Sequence, residues 1–117
     1  MRAALLTLLL ALCVPLPAGQ AAAAPPRRVV SLNLLLDQWV MLLADEGQVA
    51  ALTELSRSPN YSPLFEKARR LPAIRGTAEE VLRRKPDLVL AGRWGASETV
   101  ALLEKCGVPV RVFDYPE

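Results

Sequence analysis

The chain has 117 residues, enough for one domain, and its formal net charge is only +2 with 14 basic and 12 acidic side chains. A balance this even leaves no electrostatic footprint for nucleic acid. The sequence contains no histidine, which excludes a Ser-His-Asp triad, a Cys-His pair and histidine-based zinc sites.

The first element in chain order is an address. Met1 and Arg2 make a short positive start, Ala3 to Val14 is an apolar run, and Pro15 to Ala24 is a breaker followed by small residues. That sequence of features reads as a secretory signal peptide over residues 1–23. Cleavage after Ala23 places Ala21 and Ala23 as the small pair, and cleavage after Ala22 is the alternative. The apolar run is about a dozen residues, short of the roughly 20 needed to span a bilayer. Leu12 precedes Cys13 where a lipoprotein signal wants a small residue, so lipidation is not expected. Removing the leader takes Cys13 with it and leaves Cys106 as the single thiol, so the domain must be held by packing and not by an internal disulfide.

After the extended "APPRR" leader, Val29 to Leu32 reads as a buried strand. From Leu34 the period becomes helical, with Asn33 as N-cap, Gly47 as the stop, and Leu35, Leu36, Trp39, Val40, Leu42 and Leu43 on one inward side. Gln48 to Thr53 is a second strand. Turn chemistry follows in "LSRSPNYSP" at residues 55–63, then a short helix from about Leu64 to Leu71, closed by Pro72.

Thr77-Ala-Glu-Glu80 is a capping box opening a brief helix, with acids at its start, Arg83, Arg84 and Lys85 at its end, and Pro86 forbidding continuation. The basic clusters alternate with acids and read as solvated helix faces. Leu88 to Ala91 is a third strand, continuous in apolar residues as expected when both faces are covered. Ser97 caps a helix to Cys106, with Val100, Leu103 and Cys106 inward and Gly107 as its left-handed stop; Val108 to Phe113 is the fourth strand. Strands alternating with helices at this spacing predict an α/β, doubly wound, Rossmann-like lobe built on a four-stranded parallel sheet.

Ligands approach such a sheet at the carboxyl ends of its strands. Here those ends carry Asn33 and the leucines after it, Glu54 to Asn60, Gly92 to Gly95, and Asp114-Tyr115. The first strand-to-helix turn has no glycine, so a dinucleotide fold is not expected, and there is no phosphate-binding loop or nucleophile elbow. Asp37 and Glu46 read as surface carboxylates. Arg93 and Trp94, set between Gly92 and Gly95, suit a planar or anionic small molecule through stacking and a cationic contact. The other reading, in which Trp94 covers the sheet edge and Arg93 caps a helix, is equally compatible with composition alone.

Three stretches carry a resemblance that composition does not: "RRVVSLN", "LPAIRGTAEEVLRRKPDLVLAGRWG" and "LLEKCGVPVRVFD". Over about residues 28–117 the chain resembles the periplasmic substrate-binding proteins of ABC importers for ferric siderophores, haem and cobalamin. The resemblance implies the first lobe of a two-lobe protein, the chain being either part of a longer reading frame or a single-lobe product. It implies a monomer that captures a metal chelate or tetrapyrrole in the periplasm and delivers it to an inner-membrane ABC permease, with no catalysis, cofactor or bound structural metal. Residue by residue it assigns Asn33, Leu34, Leu55, Tyr61, Arg93 and Trp94 to the ligand side and Glu79 to permease docking. Leu34-Leu35-Leu36 departs from the small or polar residues common there in relatives, which makes the ligand harder to read. The rival expectation is a secreted α/β enzyme whose catalytic residues lie downstream.

Overall fold

The computed structural model describes residues 23–114. Apart from Ala23, the leader expected over residues 1–23 lies outside the described residues. The elements are β1 (Val29–Ser31), α1 (Leu34–Leu43), β2 (Val49–Thr53), α2 (Phe65–Arg69), β3 (Ala73–Ile74), α3 (Ala78–Arg83), β4 (Leu88–Gly92), α4 (Ser97–Lys105) and β5 (Val110–Phe113), with 3-10 turns at Glu46–Gln48 and Glu54–Arg57. All strand pairs are parallel, in the order β3-β2-β1-β4-β5.

The sheet therefore has five strands where four were expected. The added strand, β3, is two residues long and pairs Ala73 and Ile74 with Leu52 and Thr53. Two residues are too few to show a period, and the Pro72 that marks the end of a helix also supplies its carbonyl to Leu52 N at 2.9 Å, which begins the pairing.

Because side chains alternate across a strand, adjacent valines of β1 enter different cores. Val29 packs with Val40 and Met41 of α1, Leu52 and Ala68, whereas Val30 packs with Val81 of α3, Val89 and Leu103 of α4. Helices α1 and α2 thus cover one face and α3 and α4 the other. Both strand-central positions, Val30 and Val89, are fully inaccessible to solvent.

Helix α1 is turned from the expected register. Its buried residues are Leu36, Asp37, Val40 and Met41, while Leu35, Trp39, Leu42 and Leu43 are exposed. The cause is Asp37: its carboxylate accepts hydrogen bonds from the Thr53 amide and hydroxyl at the end of β2, which draws that side of the helix onto the sheet. Asn33 is the N-cap as expected, but Gly47 is not the stop. The helix ends at Leu43, Ala44 is already extended, and Gly47 sits inside the turn at Glu46–Gln48.

The capping box of α3 forms as written in the sequence, with Glu80 N donating to Thr77 Oγ1 and Thr77 N to Glu80 Oε2. In α4 the N-cap is Ala96, and Ser97 is the first helical residue, not the cap. Val100 and Leu103 face inward, but Cys106 is exposed because it is the C-cap, one step beyond the packed turn. Gly107 follows with φ of 76°, the left-handed conformation that glycine adopts without a Cβ clash.

Candidate ligand site at the strand ends

Parallel pairing places the carboxyl ends of all five strands along one edge of the sheet. The winding reverses between β1 and β4: α1 leaves β1 toward one face and α4 follows β4 on the other. Such a reversal opens a crevice at the strand ends. The residues that emerge there are Asn33 and Leu34 after β1, and Arg93 and Trp94 after β4.

Asn33 is partly committed to the backbone. Its Oδ1 accepts from Leu35 N at 2.9 Å and Leu36 N at 3.3 Å, leaving its amide NH2 as the group free to meet a ligand. Leu34, the first residue of α1, is half-buried. Beside them, the segment after β2 carries Leu55 in the 3-10 turn and Tyr61 in the following loop, both more than half exposed. Trp94 is 78% exposed, which removes the reading that it covers the sheet edge. Gly95, with φ of 92°, turns the chain immediately after it.

Arg93 differs from expectation in having a partner. Its Nη1 donates to Asp114 Oδ2 at 2.7 Å, and its backbone amide donates to Phe113 O, so the residue ties the end of β4 to the end of β5. Both side chains of this pair are about 60% exposed, and exposed pairs contribute about 0–1 kcal/mol. The guanidinium keeps further N–H donors for a ligand anion. Glu79 lies in the first turn of α3, which follows the carboxyl end of the outermost strand β3, and it is exposed and paired with Arg83 one turn on.

Asp37 is the residue that sequence reasoning misplaced. Expected at the surface with Glu46, it is fully buried, while Glu46 is exposed. Burial pushes its carboxyl up to about 6, against hydrogen bonds from Ser31 and Thr53 that pull it down. The available signal was a lone acid inside "LLLDQWVMLL", where a charge interrupts an otherwise apolar helix. Gln38 and Ser62 were also missed: Ser62 Oγ donates to Gln38 Oε1 at 3.1 Å, joining the Tyr61 loop to α1.

The strand-end residues form an open surface. An apolar groove of about 510 Å³ lies elsewhere, lined among others by Leu36, Trp39, Leu43, Leu88, Leu90 and Phe113. Among the described residues there is no cluster of three or more His, Cys, Asp or Glu side chains able to hold a metal ion. No described helix is long and apolar enough to cross a membrane.

No family model matches the chain, and no curated protein matches it in sequence. Solved structures do. A periplasmic haem-binding protein from Pseudomonas aeruginosa superposes with a TM-score of 0.62 at 26% identity, over 77% of this chain and 32% of its own. A periplasmic haem-binding protein from Roseiflexus sp. RS-1, in apo form, gives 0.59 at 25% identity, over 77% and 34%. A periplasmic vitamin B12-binding protein of Vibrio cholerae gives 0.57 at 25% identity, over 75% and 34%. The resemblance read from the sequence therefore holds in three dimensions, and the chain spans about a third of the length of these proteins.

Proposed function

We propose that the chain is the ligand-contacting first lobe of a periplasmic substrate-binding protein that captures haem, cobalamin or a ferric siderophore and hands it to an inner-membrane ABC permease. The observation that carries this reading is Trp94, an indole left 78% exposed at the reversal point of the sheet in a lobe shared with haem- and vitamin B12-binding proteins. A buried hydrophobe needs no explanation, but an aromatic ring presented to solvent between two glycines suits a flat ligand face. Tyr61 and Leu55 extend the apolar surface, the Asn33 amide offers a donor, and Arg93 supplies a cation for a carboxylate. On this reading residues 1–23 are the export leader, the protein acts without catalysis, and Glu79 on α3 is the permease contact.

One open face does not enclose a ligand, so affinity from this lobe is expected to be modest compared with a formed pocket that buries 70–90% or more of a drug-sized ligand's surface. The test is titration of the protein with haemin and with cyanocobalamin, followed by ligand absorbance. Trp94→Ala is expected to weaken binding by about 2- to 10-fold, the equivalent of ~0.5–1.5 kcal/mol of stacking. Arg93→Ala is expected to weaken the anionic ligand more than the neutral one. Wild-type affinity in both variants would remove the site assignment.

A further inference from the structure

Two consecutive residues in the middle of α1 reach opposite ends of the loop that carries Leu55 and Tyr61. At the loop entry, Thr53 N donates to Asp37 Oδ1 and Oδ2 at 3.3 and 3.2 Å, and the Thr53 hydroxyl donates to Oδ2. At the loop exit, Ser62 Oγ donates to Gln38 Oε1 at 3.1 Å while accepting from Leu64 N at 3.2 Å. Gln38 also looks back along its own helix, with Nε2 donating to Leu34 O at 3.2 Å. Asp37, Ser56 and Ser62 are buried, whereas Leu55 and Tyr61 between the two anchors are exposed.

Buried polar groups on a loop are costly unless paired, and here both pairs end on the helix whose start bears Asn33 and Leu34. We propose that Asp37 and Gln38 are positioning residues, a two-point polar clasp that holds the 54–62 loop in register with the start of α1 so that Leu55 and Tyr61 meet the ligand already ordered. Neither residue touches the ligand. Gln38 is suited to its place because an amide both accepts from Ser62 and donates to Leu34 O, which neither a carboxylate nor an aliphatic side chain does. A loop ordered before binding does not lose that freedom on binding, so the clasp acts on affinity through preorganisation. This inference rests on the strand-end surface being the binding face.

The experiment combines amide hydrogen exchange without ligand and haemin titration on wild type, Gln38→Met, Ser62→Ala and the double variant. Methionine keeps the volume of Gln38 and removes both hydrogen bonds. Each single variant is expected to speed exchange at residues 54–62 by about 10-fold and weaken haemin by about 3- to 10-fold, with the double falling well short of the product of the singles, because both remove the Ser62–Gln38 contact and each adds only one bond of its own. Amides of β1 and β4 should keep wild-type protection, and Thr53→Val should loosen the entry end in the same manner. Loop exchange and affinity at wild-type levels in both singles, or effects that multiply in the double, would overturn the clasp. If wild type binds neither haemin nor cyanocobalamin, the binding reading fails by itself, and the exchange measurement alone then decides whether the clasp exists.

Discussion

Asp37 is an acid that the fold keeps dry, and its proton equilibrium carries a signed consequence. With its carboxyl pushed up to about 6 from 3.8 by burial, the folded protein holds the proton more tightly than the unfolded chain. Stability from this group is therefore fully present below pH about 4 and is lost as pH rises through about 6, a loss on the order of 1–3 kcal/mol. Asp87 and Glu80 run the other way. Backbone amides of Arg27 and Arg28 hold Asp87 below the usual carboxylate range; for Glu80 desolvation is the largest single influence and pushes upward, but the amides of Thr77, Gly76 and Arg75 together with the Thr77 hydroxyl outweigh it and hold the carboxyl below its usual value. Their contributions are present above the unfolded carboxylate values and fade as pH falls through the folded ones. The difference between wild type and Asp37→Asn isolates the first effect: urea midpoints of the wild type should decline relative to the variant from pH about 4 to 7. Parallel curves would show that folding leaves the proton affinity of the Asp37 carboxyl unchanged, its hydrogen bonds offsetting its burial.

At the scale of elements, what the sequence made legible was chemistry that is local. Helix α3 carries both of its boundaries within ten residues, the Thr77–Glu80 box at one end and Pro86 after the other, and it forms where expected. Gly107 ends α4 for the same reason. The misreadings are tertiary. The face of α1 depends on Thr53, distant in sequence, and β3 exists only because Leu52 and Thr53 are there to pair with it. Even α3 has one end finished from afar, since the Arg28 guanidinium donates to Arg84 O through Nε at 2.8 Å and through Nη2. Glu79 belongs to this scale because its proposed role needs α3 to present it outward. Its pair with Arg83 is exposed on both sides, so Glu79→Ala should leave the melting temperature and ligand affinity near wild type. Uptake into vesicles that contain the permease should fall, and undiminished uptake would remove the docking role.

For the whole molecule, the doubly wound order placed the strand ends on one edge, and that much of the site followed from the alternation of strands and helices alone. The pairing of Arg93 with Asp114 did not, because it needs β4 and β5 side by side. Nor did the groove beside α1, which exists because the helix turns Trp39 and Leu43 away from the core instead of into it. An exposed apolar surface of this kind should bind a hydrophobic dye. Anilinonaphthalene sulfonate is expected to gain fluorescence with the folded chain at neutral pH, and Trp39→Lys with Leu43→Lys to abolish most of the gain without loss of helical circular dichroism. Absence of dye binding by the wild type would mean that the groove is closed in solution.

The position of β1 has a kinetic meaning. Among the described residues it is the first strand in chain order and the middle strand of the sheet, hydrogen-bonded to β2 on one side and β4 on the other. The contact that seats its entry, Arg28 N on the Asp87 carboxylate, joins positions 59 residues apart. Closing so long a loop before any reward is slow. A nascent chain therefore cannot lock its central strand until the "KPDLVLAG" segment has been made, and until then β1 is held by β2 alone. The sheet therefore cannot close around β1 until the chain has been made as far as β4, 59 residues later, so its centre is completed late although it is begun early.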